Sequence, residues 1–422
     1  MNSPTETFPS QVTWPDAGTS RLPFTLYTDE ARHRKELERF FYRKHWCYVG
    51  LEAEIPNPGD FKRTVVGERS VILVRGGDGE VSVVENVCAH RGMQFCRERH
   101  GNRKEFVCPY HQWSYTLAGD LQGVPFRRGV RNEGRVQGGM PADFSTADNG
   151  LTKLRVARRG GVVFASFDHG VESFEDFLGP SVLHCFDRVF DGRELTLLGY
   201  NRQRIPGNWK LMQENIKDPY HPGLLHTWFV TFGLWRADNK SQLLMDRHHR
   251  HAAMISTRGQ AGAAEQVTQV ASFKPGLQLN DARFLDIVPE PWWGGPTAVM
   301  TTLFPSLIIQ QQVNSLSMRH IQPDGHGAFN FEWTHFGFAN DTPEMTQRRL
   351  RQANLFGPAG FVSADDGEVI EFSQQAFESK PFHRALAELG GREVGDTDHM
   401  VTETLIRGMY RYWREVMEAG DD

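Results

Sequence analysis

The sequence lacks the features that would place it in a membrane or outside the cell. Its 422 residues contain no apolar run of the ~18 residues that a membrane span needs. Residues 1–20 are polar and contain proline, without the basic region and following apolar region of a secretory signal. Five cysteines, an odd number, do not indicate a disulfide framework. We therefore expect a cytoplasmic protein that spans no membrane.

The sequence also lacks a strong charge of either sign. The formal net charge is −5, with 23% charged and 39% hydrophobic residues, which is ordinary for a globular protein. This balance argues against a nucleic-acid-binding surface. Aromatic side chains are abundant, with 29 Phe and 10 Trp, and they predict large apolar cores or an aromatic-lined pocket. The length is sufficient for two or more domains, each with its own core.

The residue pattern changes twice along the chain and predicts three segments. Residues 1–45 are typical of a loose arm followed by a helix over Asp29–Arg43, because apolar residues recur there at helical spacing. Residues 46–168 contain short β-rich runs separated by turns of Gly and Asp, a pattern typical of a small all-β domain. These runs are Val71–Val74, Val81–Val84, Phe106–Val107 and Val162–Phe167.

The third segment, residues 169–422, mixes predicted strands and helices. The predicted strands are Thr297–Phe304, Leu307–Val313 and Phe329–Phe338, and the predicted helices are Ser173–Leu178, Pro343–Leu355 and Thr402–Met417. We interpret 168–200 as a connecting region and 236–285 as irregular. The basic run Arg247–His251 within it is interpreted as solvated surface or a subunit contact.

Two histidines, His221 and His226, stand five residues apart near the middle of the chain. On an unbroken helix they would point about 140° apart, too far to bind one ion. Pro222 and Gly223 lie between them, and proline is tolerated only in the first turn of a helix. We therefore predict that one helix ends near Asp218 and that another starts near His221. Neutral imidazoles suit iron, zinc or copper, with two structural histidines beside a kink as the alternative.

A second set of possible ligands lies in the β-rich segment. Cys88-Ala89-His90 and Cys108-Pro109-Tyr110-His111 each offer one cysteine and one histidine, which could hold a zinc ion or an iron–sulfur cluster. Zinc sites more often pair Cys with Cys on one loop and His with His on the other. One Cys and one His per loop instead matches a Rieske [2Fe–2S] centre, where two His replace two Cys on one iron. The other cysteines, Cys47, Cys96 and Cys185, lack partners at ligand spacing and are predicted to be buried thiols.

A carboxylate is also needed if the two histidines belong to a non-haem Fe(II) oxygenase site. The late stretch 356–367 ends in Asp365-Asp366-Gly367 and supplies two adjacent candidates. The same tripeptide is typical of a turn or a helix cap. The residues alone therefore leave both the role and the choice of carboxylate open.

Together and in this order, the three motifs resemble those of the large subunit of Rieske non-haem iron ring-hydroxylating oxygenases, over roughly residues 23–417. The resemblance implies an α+β fold. An antiparallel β Rieske [2Fe–2S] domain covers residues 46–168, and a helix-grip catalytic domain, an antiparallel sheet with helices, covers 169–422. The N-terminal helix within residues 1–45 packs on the catalytic domain.

The resemblance also implies roles for individual residues. Cys88 and Cys108 bind one iron of the cluster, His90 and His111 bind the other, and His221, His226 and Asp366 bind a mononuclear Fe(II), with Asp365 as the alternative carboxylate. Asp218 matches an aspartate that lies, in such trimers, between a cluster histidine of one subunit and an iron histidine of the next. Asn215 matches a residue near the iron, and its alternative role is to cap the kinked helix.

Within the family, the resemblance is greatest to the salicylate 5-hydroxylases, followed by the terephthalate and aminobenzoate oxygenases. It implies hydroxylation of an aromatic carboxylate, most simply salicylate to gentisate, with O2 and with electrons that originate from NAD(P)H. It also implies an α3β3 assembly with a small β subunit, and a ferredoxin and a flavoprotein reductase as electron donors. The alternatives are a dioxygenase or hydroxylase of another benzoate, such as terephthalate, aminobenzoate or anthranilate, and a Rieske electron-transfer protein without catalysis.

A buried substrate carboxylate needs a cation or several hydrogen-bond donors. Arg319 and Arg407 are the candidates, since both align with arginines of terephthalate-type relatives, and a structural ion pair is the alternative role of each. Three polar residues that alternate along a predicted strand share one face and are candidates for a pocket wall. These are Gln310, Gln312 and Asn314. Met254 and Phe361 are candidates for the apolar part of the pocket.

Overall fold

The computed structural model describes residues 12–14, 18–234, 239–258 and 271–419, without the side chain of Phe361. It divides into two compact units. One is Phe41–Val171, and the other combines Met1–Phe40 with Glu172–Asp422. The chain thus leaves the larger unit after its N-terminal segment and returns to it later. The boundaries drawn from the sequence, after residues 45 and 168, lie a few residues from these.

The N-terminal segment of the larger unit is mostly helical. It contains β1 (Arg21–Pro23), α1 (Thr25–Thr28), α2 (Glu30–Glu36) and a π-helical turn, Leu37–Phe41. Asp29 begins α2, because its side chain accepts a hydrogen bond from the backbone N–H of Arg32. The helix predicted over Asp29–Arg43 is therefore present, with a π-helical end.

The smaller unit is built from short antiparallel strands. They are β2 (Cys47–Leu51), β3 (Asp60–Val66), β4 (Arg69–Arg75), β5 (Val81–Glu85), β6 (His100–Asn102), β7 (Phe106–Val107), β8 (Ser114–Tyr115), β9 (Leu121–Gly123), β10 (Val130–Asn132), β11 (Arg135–Gln137), β12 (Arg155–Arg159) and β13 (Val162–Ser166). Among the described residues they form sheets of order β5-β4-β3-β6, β12-β13-β2 and β7-β8-β9, and a β10-β11 hairpin. A buried cluster that includes Phe61, Ile72, Trp113 and Tyr115 forms the core between them.

The larger unit centres on an antiparallel sheet of seven strands in the described part of the chain, in the order β14-β20-β19-β18-β17-β16-β15. The strands are β14 (Leu195–Ile205), β15 (Lys240–Met245), β16 (Ala252–Thr257), β17 (Ala298–Leu303), β18 (Leu307–Gln312), β19 (Ser315–Pro323) and β20 (Phe329–Phe338). A short strand, β21 (Arg384–Leu386), pairs with β1.

Helices cover both faces of this sheet. They are α3 (Phe174–Val189), α4 (Trp209–Lys217), α5 (Pro222–Leu225), α6 (Thr227–Thr231), α7 (Pro343–Phe356), α8 (Phe361–Ser379) and α9 (Thr404–Glu418). Cys185 of α3 packs on Val299 of β17, whereas Lys217 of α4 donates a hydrogen bond to Thr302 Oγ1. Val299 and Thr302 point to opposite faces because side chains alternate along a strand. The predicted α+β architecture, an all-β part and an antiparallel sheet that holds helices, is confirmed.

A buried carboxylate, Glu36, ties α2 to distant parts of the larger unit. It accepts hydrogen bonds from Trp209 Nε1 at 3.1 Å, from Lys210 Nζ at 3.0 Å and from Trp413 Nε1 at 2.7 Å. Burial lowers the pKa of Lys210, while the charge of Glu36 raises it. Removal of one member of such a buried pair costs about 3–5 kcal/mol, because the other charge loses its partner. Glu36 therefore holds α2, α4 and α9 together.

Several predictions about secondary structure were wrong. Part of the supposed connecting region is β14, and the supposedly irregular segment contains β15 and β16. The helix predicted over Ser173–Leu178 is interrupted at Gly179, with φ +69°, and then continues to Val189. The turn or cap that was the alternative for Asp365–Gly367 is not formed, because this stretch lies inside α8. Polar residues inside β14, β15 and α8 hid the periodicity of these elements, whereas Gly179 and Pro180 hid the continuation of α3.

The basic run Arg247–His251, predicted to be solvated surface or a subunit contact, is only partly at the surface. Arg250 is buried and forms ion pairs with Asp246 and with Glu172. His251 is also buried, and its Nδ1 accepts a hydrogen bond from the backbone N–H of Phe304. The run therefore contributes to the interior of the larger unit.

In the residues that the structure describes, no helix is long and apolar enough to cross a membrane.

Candidate metal centres and cavity

The two Cys/His loops of the smaller unit have the same backbone pattern. Cys88 follows β5 and Cys108 follows β7. In each loop the cysteine carbonyl accepts a hydrogen bond from the N–H four residues on, of Gly92 at 2.9 Å and of Gln112 at 2.8 Å. In both loops the backbone N–H of the cysteine donates a hydrogen bond, at 2.9 Å, to the backbone carbonyl of the residue five positions later. Gly92 and Gln112 both adopt positive φ, +72° and +59°, which closes each loop into a tight turn.

These turns bring the four predicted ligands together. His90 Nδ1 and His111 Nδ1 lie 3.1 Å apart near the surface, and the thiols of Cys88 and Cys108 are buried beneath them. Burial raises the pKa of Cys108, and the neighbouring Cys88 thiol adds to this increase. The hydroxyl of Tyr115 lies 3.1 Å from Cys88 Sγ. Two buried sulfurs and two outer ring nitrogens are the donor set of a [2Fe–2S] cluster with mixed Cys and His ligands.

The helix that precedes the two central histidines breaks where the sequence predicts. Asn208 caps α4 through its side chain, which accepts from Lys210 N. Helix α4 ends at Lys217, and Asp218 then accepts a hydrogen bond from Tyr220 N at 2.7 Å. Helix α5 starts at Pro222, directly after His221. The predicted end near Asp218 and the predicted start near His221 are confirmed.

The break turns both imidazoles towards one carboxylate. Asp366 Oδ1 lies 3.5 Å from His221 Nε2 and 3.3 Å from His226 Nε2. All three ligand atoms lie within 4.8 Å of one another, as ligands of one metal ion would. Burial opposes charge here, but the two imidazoles lower the pKa of Asp366 well below its usual value. Two imidazole nitrogens and one carboxylate oxygen are the donor set of a non-haem Fe(II) site with open positions.

Hydrogen-bond acceptors contact the Nδ1 atoms of both imidazoles, on the side away from Asp366. His221 Nδ1 lies 2.9 Å from the carbonyl oxygen of Asp218, and His226 Nδ1 lies 3.1 Å from Asp365 Oδ2. A carbonyl and a carboxylate can only accept, so both Nδ1 atoms carry the proton. The Nε2 atoms of both rings consequently face Asp366. Asp365 thus contacts His226 on the side opposite Asp366, whereas Asp366 lies close to the Nε2 atoms of both rings.

Asn215, on the last turn of α4, is the fourth residue of this centre. Its Nδ2 donates to Asp366 Oδ1 at 3.1 Å, which orients that carboxylate. Its Oδ1 is buried and has no hydrogen-bond partner among the described residues. The amide therefore acts on the carboxylate rather than capping the helix.

A cavity of about 110 Å³ opens beside these residues. His221, His226, Asp366 and Asn215 form one side, and the sheet forms another. The sheet contributes apolar side chains that include Met254 and Met300, together with Gln312 and Arg319. Arg319 is buried, and its guanidinium lies 3.9 Å from the centre of the Trp333 ring. Burial lowers the pKa of Arg319 to about 9, with Asp366 opposing this shift.

Three of the other predicted substrate residues, Arg407, Asn314 and Gln310, do not line this cavity. Arg407 is buried in α9, where its guanidinium donates to the carbonyls of Ala387, Leu389 and Glu393. It is therefore engaged in holding a loop, which the alignment with other arginines did not indicate.

Asn314 follows β18 rather than continuing it, so it does not share the face of Gln310 and Gln312. Its side chain bonds Val288 and Glu290 instead. Gln310 is buried behind the wall, and the side chain of Phe361 lies outside the described residues.

Sequence reasoning missed Met300, Ser256 and Val362 of the cavity wall. Met300 and Ser256 face the cavity together with Met254, because they stand on neighbouring strands with matched register. The alternation of side chains along β17 could have indicated which face of the strand Met300 occupies. No signal in the sequence identified β16 as its neighbour.

An electron-carrying [2Fe–2S] site and a single oxygen-activating metal site on one chain define a Rieske non-haem iron oxygenase. Residues 45–133 match the family model described as Rieske [2Fe-2S] domain, and residues 191–419 match the one described as Ring hydroxylating alpha subunit (catalytic domain). The chain belongs to the ring-hydroxylating oxygenase alpha-subunit family, and its cofactors are a Rieske cluster and a mononuclear iron. It is an oxygenase component that receives its electrons from separate proteins.

Relatives support this assignment over nearly the whole length. The chain is 74% identical over 411 residues to the salicylate 5-hydroxylase large oxygenase component of Ralstonia sp, with 97% of each chain covered. It is 39% identical to the terephthalate 1,2-dioxygenase terminal oxygenase component subunit alpha 2 of Comamonas sp, over 97% of this chain and 98% of that one. Naphthalene 1,2-dioxygenase from Rhodococcus sp. has the same fold, with a TM-score of 0.78 at 23% identity over 95% of both chains.

Proposed function

We propose that this chain hydroxylates an aromatic carboxylate, and that it converts salicylate to gentisate. The observation that carries the proposal is the buried guanidinium of Arg319 in the wall of a largely apolar cavity, beside the His221, His226 and Asp366 centre. A cation in such a place fits a ligand that carries a carboxylate on an apolar ring. The identity of 74% to a salicylate 5-hydroxylase component favours salicylate among the aromatic acids.

We assign the metal ligands from the donor sets. Cys88 and Cys108 would bind one iron of the cluster, and His90 and His111 the other. His221, His226 and Asp366 would hold the mononuclear iron, which supplies the activation of dioxygen when it is bound.

The surrounding residues keep these ligands ready to bind metal. The carboxylate of Asp365 and the carbonyl of Asp218 retain the Nδ1 protons, so that the Nε2 lone pairs stay free. Asn215 keeps the Asp366 carboxylate turned towards the two imidazoles. The apolar wall around Met254 and Met300 excludes water from the reacting ring.

Asp218 is proposed to connect the two kinds of centre between subunits. Its Oδ2 lies 3.6 Å from His221 Nδ1, and about a fifth (21%) of its side chain is exposed in this chain. A carboxylate in this position can accept a hydrogen bond from a cluster histidine of a neighbouring protomer while it contacts His221. This role requires a ring of subunits, and we propose the α3β3 assembly with a small β subunit. A ferredoxin and a flavoprotein reductase would deliver electrons from NAD(P)H.

The substrate is proposed to lie with its carboxylate on Arg319 and its ring between the sheet and the iron ligands. Gln312 would contact a second polar substituent, and Met254 would contact the ring. The division of the chain into a cluster-bearing part and a catalytic part, and the cytoplasmic location, remain predictions from the sequence. Fractionation of cells that express the chain tests the location.

The test is turnover of a panel of substituted benzoates by the oxygenase, purified with its small subunit and supplied with both electron donors. We expect gentisate from salicylate, identified by chromatography against a standard. A cis-diol from terephthalate or a product from anthranilate, without gentisate, would instead support a dioxygenase or another benzoate hydroxylase. A cluster that is reduced and reoxidised with no product from any benzoate would support the electron-transfer alternative.

A further inference from the structure

Gln310 does not line the cavity, yet it is hydrogen-bonded to two residues that do. It is fully buried in β18, with Gln312 two residues on along the same face and Arg319 on the neighbouring strand β19. Its Oε1 accepts from Arg319 Nε at 2.9 Å and from Ser317 Oγ at 2.9 Å. Its Nε2 donates to Gln312 Oε1 at 2.6 Å. Gln310 therefore connects two residues of the cavity wall, the cationic Arg319 and the amide of Gln312.

The chemistry of arginine fixes the direction of this chain of hydrogen bonds. A guanidinium can only donate, so the Gln310 atom that faces Arg319 must be the carbonyl oxygen. The other end of the Gln310 amide is then NH₂, which also only donates, so the Gln312 atom that faces it must be oxygen. The remaining end of Gln312 is its NH₂ group. Among the described residues this group has no hydrogen-bond partner, and Gln312 belongs to the cavity wall.

The turn after Gln312 keeps that side chain in register. Val313 adopts φ +48°, a conformation that is costly for a β-branched residue and persists only where the surroundings impose it. The next residue, Asn314, is buried and held at both backbone atoms. Its N–H donates to Gln352 Oε1 at 2.8 Å, and its carbonyl accepts from Arg349 Nη1 at 2.8 Å. The turn at Val313 and Asn314 therefore holds the backbone after Gln312, and the hydrogen bond from Gln310 holds its side chain.

We propose that Gln310 is a positioning residue for substrate specificity, because it holds Gln312 with its N–H group, and not its carbonyl, towards the cavity. Arg319 and Gln312 then both present hydrogen-bond donors to the cavity. A hydroxyl oxygen beside the substrate carboxylate can accept from this wall. An amino group in the same position offers mainly donors, which would face the donors of Gln312. The inference rests on the proposed function and specifies which ortho substituent the site selects.

The test reverses the polarity of the amide without changing the cavity wall. In the Gln310→Glu variant the carboxylate still accepts from Arg319 but no longer donates to Gln312. Gln312 then donates to the new carboxylate and presents its carbonyl oxygen to the cavity. Any weakening of Arg319 by the added charge affects salicylate and anthranilate equally, because both carry the same carboxylate. The ratio of their two dissociation constants therefore isolates the orientation of Gln312.

The measurement is isothermal titration of salicylate and of anthranilate into the iron-loaded oxygenase, assembled with its small subunit. We expect the wild type to prefer salicylate and Gln310→Glu to shift the ratio about tenfold towards anthranilate, the effect of one mispaired buried hydrogen bond. Gln310→Met, which leaves the Gln312 amide free to rotate, should shift the ratio in the same direction by a smaller factor. The visible spectrum of the cluster verifies folding of each variant.

Gln311→Met is the matched control. Gln311 is the same residue type on the same strand, but it points to the opposite face, where it bonds Arg188 and the carbonyls of Thr297 and Val313. This variant should lower the melting temperature and leave the ratio unchanged.

The outcomes separate this inference from the proposed function. Wild-type protein that binds neither acid overturns both. Wild-type protein that prefers salicylate, with an unchanged ratio in the folded Gln310 variants, overturns the positioning role alone. A wild-type preference for anthranilate also overturns it. Failure of both Gln310 variants to fold does so as well, because the residue then has a structural role.

Discussion

Replacement of Arg319 by methionine should remove the affinity of the cavity for carboxylates while keeping its size. Methionine fills the space of the aliphatic part of the arginine side chain and keeps the wall apolar. The substrate carboxylate would then be buried without its cation. Loss of one partner of a buried ion pair costs about 3–5 kcal/mol. At the lower value, the dissociation constant of salicylate rises by roughly two orders of magnitude.

The structure predicts a small effect of Arg319→Met on stability. The guanidinium loses its contact with the Trp333 ring at 3.9 Å and its hydrogen bond to Gln310. The fold in turn no longer has to bury a charge, whose unfavourable effect is seen in the lowered pKa of Arg319, about 9. These effects oppose each other, so the melting temperature should change by only a few degrees.

Isothermal titration of salicylate and of its neutral analogue salicylamide into the iron-loaded oxygenase provides the assay. Salicylate should lose affinity in Arg319→Met, and salicylamide should lose much less, because it carries no charge to be left unpaired. Arg407→Met is the matched control, since Arg407 is an equally buried arginine whose donors all go to backbone carbonyls. It should lower stability and leave both affinities unchanged. Equal binding of salicylate by wild type and Arg319→Met would refute the assignment of the carboxylate site.

Four further predictions concern the metal centres and the surrounding core. Asp366→Ala should lose the mononuclear iron and keep the cluster iron, and metal analysis showing full iron content would point to another ligand. Asp218→Ala should retain the visible spectrum of the cluster and abolish ring hydroxylation; normal turnover would exclude the bridging role. Tyr115→Phe removes the hydroxyl 3.1 Å from Cys88 Sγ, so redox titration should give a lower reduction potential of the cluster, because hydrogen bonds to sulfur raise it. Burial raises the pKa of Glu214 to about 7, so the folded state binds more protons than the unfolded state between about pH 4.5 and 7. The free energy of unfolding should therefore fall by up to about 3 kcal/mol as the pH rises through this window, and urea titrations of Glu214→Gln should lack this decrease.

The sequence was informative where chemistry demands particular residues at particular spacing. Proline and glycine between His221 and His226 required a break in the helix, and the break occurs at Asp218 as predicted. Cys47, Cys96 and Cys185 were predicted to be buried thiols, and all three are buried. These predictions succeed because they depend on local backbone restrictions and on residue type.

Elements whose polar residues serve the interior were much harder to predict. Helix α8 follows Gly360 and contains Asp365, Asp366 and Gly367, which together are more typical of a turn than of a helix. Strand β18 ends in Gln310, Gln311 and Gln312, which are all buried because one face binds α3 and the other borders the cavity. The pairing of β15 and β16 with β17 depends on contacts distant in sequence, which the period of a single strand does not contain.

The fully buried Glu36 has a consequence for biosynthesis. Its partners Trp209, Lys210 and Trp413 leave the ribosome long after it does, since they follow it by 173, 174 and 377 residues. The stretch Phe41–Val171 has its own apolar core and can fold while the rest of the chain is still being translated. Helix α2 must meanwhile keep the carboxylate of Glu36 in water until helix α9 has been synthesised. A nascent chain that stops before Trp413 would therefore expose an incomplete interior to chaperones and proteases.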